Sequence, residues 1–318
     1  MSKTWKDFLL RSGLPLENDV HRFLEEYGCV GGYEYSYFRE DEKQKEKEFS
    51  YDIDASYIKG HHFFELMIEC KYRHPTTSWI FTPGKYGGAQ EVRETDFLHP
   101  IDYFIDINFP YGSYFPRQIG PPCTKGIEIT NNGNNEKSIT QAIMQLSYAM
   151  PKKIAIGIEH QIYNLLSSPH IFYYVPIIIT TSFLYRLRDD VSISQIEAAA
   201  NLEDVAEKHD ILVLNNKTGV DLEKYSRNVY EEMREMIGNE ILEEKNRSFA
   251  KDLDHLFSVL SEYYSCRSIL IVHHDKKGKN VGKIISYLDS LISPSKKIFS
   301  EIREHEEKMK KMMKDFGV

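Results

Sequence analysis

Four cysteines in 318 residues (Cys29, Cys70, Cys123, Cys266) lie far apart, with no C-x-x-C pair among them. A disulfide scaffold, a zinc knuckle and a redox dithiol are therefore excluded. Long apolar runs are also missing. The best stretch, IFYYVPIIITTSFL, is β-branched and falls short of the ~18–20 residues that span a bilayer. The opening MSKTWKDFLLRSG lacks the apolar core of a signal peptide, so a reduced compartment, the cytoplasm, is expected. Basic charge is not in excess: 40 Lys and Arg stand against 48 Asp and Glu, a net charge of −8. Grip on nucleic acid by bulk charge alone is thereby excluded. A small basic groove or a metal site within an acidic exterior is not. There is no Walker A loop, no G-x-S-x-G elbow and no G-x-G-x-x-G after a strand. What the chain does have is apolar mass. At 41% hydrophobic and 28% charged it can bury enough surface to offset the entropy of ordering.

The periodicities predict a mixed sheet with helices around it. Leu16, Val20, Phe23, Leu24 and Tyr27 recur at helix spacing, and Gly28 stops the run. The charged stretch EYSYFREDEKQKEKEFSYD reads as a solvated loop or hairpin tip. Strands are predicted from Phe49 to Tyr57 and from Phe63 to Tyr72, joined by a turn at Gly60-His61. Residues 93–125 form an aromatic and Pro-rich insertion, and NNGNNE reads as a turn. Helices are expected over Ser138 to Ala149, about 153–166, and Ser194 to Lys208, the last with capping-box spacing between Ser194 and Glu197. Ile171 to Thr180, Asp210 to Leu214 and Ser268 to Val272 read as strands, with Pro176 demanding an edge or a bulge. Ser295 to Phe316 reads as a charged helix. The expected class is α/β, a mixed central β-sheet flanked by helices, with residues 1–219 as one domain and a largely helical C-terminal region over 220–318.

Chemistry concentrates in FSYDIDASYIKGHHFFELMIECKYR. Strict alternation puts Phe49, Tyr51, Ile53, Ala55 and Tyr57 on one face of the first strand, leaving Asp52 and Asp54 together on the other. In the second strand Glu65, Glu69 and Lys71 share a face, opposite Phe64, Leu66, Ile68 and Cys70. A turn at Gly60-His61 sets Glu69 opposite Asp52 and diagonal to Asp54. Two or three carboxylates and an ammonium then converge. Hard divalent cations take such oxygen ligands together with water and substrate phosphate, and a neighbouring lysine can orient water or balance transition-state charge. The Cys70 carbonyl is a further candidate ligand, and its thiol is expected in the core. An isolated E-x-K on a half-exposed strand is usually a solvated ion pair. The joint pattern of acid, short turn, buried run and E-C-K is what lifts it above that.

Asp54 followed fifteen residues later by Glu69-Cys70-Lys71 resembles the PD-(D/E)XK restriction-endonuclease-like nucleases. GLPLENDVHRFLEEYG is similar to the acid-bearing N-terminal helix of Mrr-like members, and ITQAIMQLSYAM to the Q-x-x-Y helix of RecB-like ones. The resemblance implies a restriction-endonuclease-like core in which Glu17, Asp54 and Glu69 hold Mg²⁺, with Mn²⁺ as a substitute. Lys71 would position the water. Gln145 would sit near the lysine or the phosphate, with Tyr148 one turn on. It implies DNA as partner. Asp52 competes with Asp54, since alternation keeps both on one face. Arg73, Lys85 and Arg93 are candidate phosphate contacts, Lys85 in the Gly-rich loop 84–88. His21 reads as a hydrogen-bonded structural residue, and His61-His62 and His273-His274 as surface or capping residues.

The expected function is Mg²⁺-dependent hydrolysis of DNA, probed against one alternative: a catalytically silent nuclease-like module that binds nucleic acid or a partner protein. The helical C-terminal region reads as the place for a homodimer or partner contact.

Overall fold

The computed structural model describes residues 4–40, 45–84, 100–106, 119–135, 137–166, 168–248 and 252–292. Lys85, Arg93, most of the 93–125 insertion and the Ser295 to Phe316 segment lie outside them. The chain is α/β, as expected: one mixed sheet, twelve-stranded among the described residues, with helices on both faces.

Two short helices open it, α1 (Trp5–Arg11) and α2 (Leu14–Glu26). Gly13, at φ +87°, turns the chain into α2, and Pro15 pre-sets its first turn. Leu16, Val20, Phe23 and Leu24 give α2 one apolar stripe, which is buried. A meander follows: β1 (Val30–Glu40), β2 (Glu46–Lys59) and β3 (His62–Lys71), antiparallel in turn. β1 corrects the expected loop. The aromatics Tyr33, Tyr35 and Tyr37 have strand propensity and pair with β2; the centre of the charged run, residues 41–44, lies outside the described residues. The sheet runs on through β4 (Ser78–Pro83), β5 (Pro100–Ile101), β6 (Pro122–Thr130) and β7 (Gly133–Asn135).

Next comes α3 (Lys137–Tyr163), then β8 (Ile171–Thr180) parallel to β3. All ten residues of β8 are buried, as a central strand covered on both faces requires. Pro176 does not lie at a sheet edge. It falls between the last β5 pairing at Tyr173 and the first β12 pairing at Ile177, where one flank of β8 changes neighbour.

α3 is also one helix where two were expected. An interior proline costs about 3 kcal/mol. Here Pro151 is buried, and Leu146, Met150, Ile154 and Ile158 on either side of it enter the same core, so packing overrides the break. β9 (Phe183–Leu187) leads to α4, which spans only Ile193–Ala198 and is capped by Ser192 and Gln195 rather than Ser194 and Glu197. It buries no residue, so nothing extends it. A 3-10 turn and β10 (Ala206–His209) occupy the rest of the expected helix.

β11 (Ile211–Asn215), α5 (Val220–Ile237), α6 (Asn239–Lys245), α7 (Leu253–Tyr263), β12 (Ser268–His273) and α8 (Lys279–Ile292) complete the described chain. β12 lies between β8 and β11, so the stretch after residue 220 contributes a strand to the same sheet. The core has two sides. α2 and α8 pack with Ile53, Ala55, Phe64, Leu66 and Ile68 on one face; α3, α5 and α7 pack with Tyr51, Met67 and Ile178 on the other. Among the described residues no helix is long and apolar enough to cross a membrane.

Candidate functional site

The register of β2 on β3 pairs Ile53 with Ile68 and Asp54 with Met67, and its continuation sets Asp52 against Glu69. The ladder itself ends at Ile53. Beyond it the side chain takes over: Asp52 Oδ2 accepts the backbone N–H of Cys70 at 2.6 Å.

At the same level the meander switches faces. Tyr33 stacks on His21 of α2, while Tyr35, two residues on, stacks on Tyr51 of the α3 side. In β2, Tyr51 lies in the α3-side core and Ile53 in the α2-side core. Between them stand Glu34, whose φ of +56° is left-handed, and Asp52. This corrects the expected shared face of Phe49, Tyr51, Ile53, Ala55 and Tyr57. A left-handed residue in β1 reverses the pleat.

The switch separates the two aspartates. Asp54 takes the Tyr51 hydroxyl at 2.5 Å and the Lys153 ammonium at 2.7 Å. Lys153 also reaches Glu65 at 3.3 Å and lies 4.6 Å from the centre of the Tyr35 ring. The Lys153 side chain is 9% exposed, and its two acidic neighbours hold its pKa up against the opposing effect of burial. Burial raises the pKa of Glu65, and Lys153 partly reverses this. Asp52, by contrast, belongs with Glu69, Lys71 and Glu17. Sequence reasoning missed Lys153. Its signal is a lysine three residues after Met150 and one before Ile154, on a helix face that is otherwise apolar.

Glu69 is fully buried, at 0% exposure. One of its oxygens pairs with the Lys71 ammonium. The other, Oε2, finds no hydrogen-bond partner among the described residues. Burial, and then the charge of Asp52, push its pKa up to about 7, with Lys71 pulling the other way. Burial also raises Asp52, opposed by the Cys70 amide and by Lys71. Glu17, in the first turn of α2, is raised by burial and by the Asp52 charge and lowered by Lys71. Its carboxylate lies over Gly13, where a Cβ would stand 2.9 Å from Oε1. Three acids and one ammonium thus share a field at the end of β3.

Among the described residues no three His, Cys, Asp or Glu side chains are gathered closely enough to hold a metal ion by themselves. A Mg²⁺ ion does not require three: one or two carboxylates, with water and substrate phosphate, suffice. Asp52 and Glu69, with an unpartnered buried oxygen between burial and a like charge, fit that demand.

The other expected residues fall as follows. The Cys70 thiol is buried in the α2-side core and held protonated by desolvation. The Gln145 side-chain amide donates to Ser50 O at 2.8 Å, and the Gln145 backbone carbonyl accepts the Tyr37 hydroxyl at 2.8 Å. It thereby ties α3 to β2 two residues before Asp52, and Glu69 contributes to the raised pKa of that same tyrosine. Tyr148 lies farther along the α3 side, its ring centre 4.0 Å from the Arg39 guanidinium. Arg73 is committed elsewhere: to Glu128 at 2.5 Å, to Ser138 and to the Tyr72 carbonyl. It fastens the exit of β3 to β6 and the start of α3. Lys85 and Arg93 lie outside the described residues. His21 bonds Gly31 O and stacks on Tyr33. His62 is buried against the Tyr173 hydroxyl rather than exposed, and burial lowers its pKa to about 4. His273 contacts Ser182 O, and His274 pairs with Asp19. No family model, no curated protein and no solved structure matches the chain.

Proposed function

We propose that the chain is a Mg²⁺-dependent nuclease that hydrolyses DNA phosphodiester bonds, with Asp52, Glu69 and Lys71 at the reacting centre and Glu17 beside them. The observation that carries this reading is the buried Glu69 carboxylate, paired through one oxygen with Lys71 and unpartnered at the other. A buried carboxylate beside a second carboxylate is costly unless a cation joins them. When bound, the metal supplies an acidified water and charge to offset the phosphate. Mn²⁺ serves in its place.

The chain's own residues do the rest. The Cys70 amide fixes the orientation of the Asp52 carboxylate. Lys71, only 20% exposed, holds an ammonium where it can orient the attacking water and balance charge growing on the phosphoryl oxygens. Gln145, through Ser50 and Tyr37, braces the strand that carries Asp52. The order of elements, α2, the β1–β3 meander, α3 and then β8 parallel to β3, supports the resemblance drawn from the motif. By fold-level analogy the setting is defence against foreign DNA in the cytoplasm, with the helical C-terminal region engaging a second copy or a partner protein.

The test is cleavage of plasmid, linear duplex and single-stranded DNA with Mg²⁺ or Mn²⁺, comparing the wild type with Lys71→Ala and Asp52→Asn. Metal-dependent cutting that both substitutions abolish supports the proposal. Cutting that survives in both removes it. A protein inert on all three substrates that still binds DNA leaves the silent binding module.

A further inference from the structure

Away from the carboxylates, a cleft of about 730 Å³ opens between β4, β6, the first turns of α3 and the end of β11. Its floor is apolar: Ile80, Phe81, Ile127, Ile139, Ile143 and Leu187. Lys125, Lys217 and Arg267 line it as well. Among the described residues no Asp or Glu does, in a chain where acids outnumber bases by 48 to 40. None of the three cations forms an ion pair with a described carboxylate, although most lysines and arginines around the candidate site do. All three are exposed. Arg267 lies 5.5 Å from the centre of the Tyr263 ring, and the Thr82 and Thr124 hydroxyls meet at 2.8 Å on the same wall.

Three cations that line one cleft, with no ion pair to a described carboxylate, repel one another and gain from an anion. An apolar floor gains from a flat hydrophobic body. A cleft of this volume is in the range that encloses a small molecule. Lysine and arginine together suit phosphate, the lysine as a point charge and the arginine as a fork.

We infer that this cleft binds a nucleoside phosphate, its phosphate against Lys125, Lys217 and Arg267 and its base on the half-buried apolar side chains of Ile80, Ile127, Ile143 and Leu187. The site shares no residue with the Asp52–Glu69–Lys71 group, and the inference stands whether or not that group cuts DNA.

The experiment is a thermal-shift and calorimetric titration of the full chain, without divalent metal. The probes are the four common nucleoside monophosphates, ATP, inorganic phosphate and a ten-residue oligothymidylate. Each is run on wild type, Lys217→Glu, Arg267→Glu and a control, Lys276→Glu, on the far side of β12. The expected result is saturable binding of at least one nucleotide, tighter than inorganic phosphate. Each cleft substitution should weaken it about tenfold or more, through loss of a charge-assisted contact, and the control should not. Three results would overturn the inference: no nucleotide binding at about millimolar ligand, where linkage would still show as a shift; affinity equal to that of inorganic phosphate, which leaves the floor without a role; or binding of the oligonucleotide alone, lost in both cleft variants, which makes the cleft part of a polynucleotide track. Because the variants are exposed surface changes, a wild-type melting temperature without ligand verifies that they fold.

Discussion

Asp52 holds the backbone N–H of Cys70 with its side chain at 2.6 Å, at the point where the β2–β3 ladder stops. The strand pair thus exchanges a backbone bond for a carboxylate bond at Cys70, the residue between Glu69 and Lys71. That exchange decides which aspartate serves the site.

Asp52→Asn should remove cleavage, by about a hundredfold or more where a positioned charged group is lost from a reacting centre. The amide oxygen can still accept from Cys70, so the fold should be kept. Asp54→Asn should retain most of the activity. It should instead lower stability by about 1–2 kcal/mol, because Lys153 keeps only Glu65 as a charged partner. Parallel cleavage rates and urea melts separate the two. Loss of activity with Asp54→Asn alone, Asp52→Asn remaining active, would return the role to Asp54.

The helix, the hairpin and its register were legible in the sequence, because Gly60 fixes the turn and the apolar residues of β3 alternate cleanly. The separation of Asp52 from Asp54 was not. Alternation assumes an unbroken pleat, and it breaks here through a left-handed glutamate, a residue type with no special preference for that conformation. Nor was Lys153 legible: its partners come from strands about a hundred residues away in sequence. Arg73 shows the same limit in reverse. Its position after the E-x-K lysine suggested phosphate, while Glu128, 55 residues on, claims the guanidinium.

Lys153→Met should destabilise the protein by about 3 kcal/mol near neutral pH, since it leaves Asp54 and Glu65 as neighbouring, half-buried like charges. The pKa of Glu65 is already raised by burial. Without Lys153 it rises further, so the deficit should shrink as the pH falls and Glu65 takes up a proton. Urea melts at about pH 7 and pH 5 test the sign. A deficit that is the same at both pH values would place the damage in lost packing alone.

Glu69 gives a pH dependence of known direction. Its folded pKa, about 7, lies above its ordinary value of 4.5. Between these values the folded state holds a proton that the unfolded state has lost, so stability falls as the pH rises through the window. The cost is complete above about pH 7 and reaches at most about 3 kcal/mol. His62 runs the other way: its pKa is lowered to about 4, so its contribution is lost as the pH falls from about 6.5 towards 4. Comparing wild type with Glu69→Gln isolates the first effect. The variant should gain on the wild type between about pH 5 and pH 8, and Mg²⁺ should narrow the gap at the alkaline end. A gap that is flat with pH would mean that Glu69 titrates normally.

Glu34→Val should cost about 1–2 kcal/mol and Glu34→Gly should cost little or nothing, because the left-handed backbone at φ +56° is strained for a β-branched residue and free for glycine. Both changes remove the same carboxylate, so the difference between them reads the backbone alone. Equal melting points for the two variants would show that β1 does not require the left-handed turn.

The last prediction concerns the α3–β8 contact. A Cβ at Gly157 would fall inside the van der Waals envelope of the Tyr174 hydroxyl and within 3.3 Å of the Phe172 ring. Tyr174 is buried, and its hydroxyl finds no hydrogen-bond partner among the described residues, so it has little to lose if that oxygen is removed. Gly157→Ala alone should therefore destabilise by about 1–3 kcal/mol through overpacking. Tyr174→Phe alone should be close to neutral. The double variant should recover much of the loss, since the deleted oxygen is the atom that the new methyl group meets. A double-mutant cycle in urea measures the coupling. If Gly157→Ala is as damaging in the phenylalanine background as in the wild type, the helix is held off the strand by Phe172, and the close approach at Tyr174 is not what selects glycine.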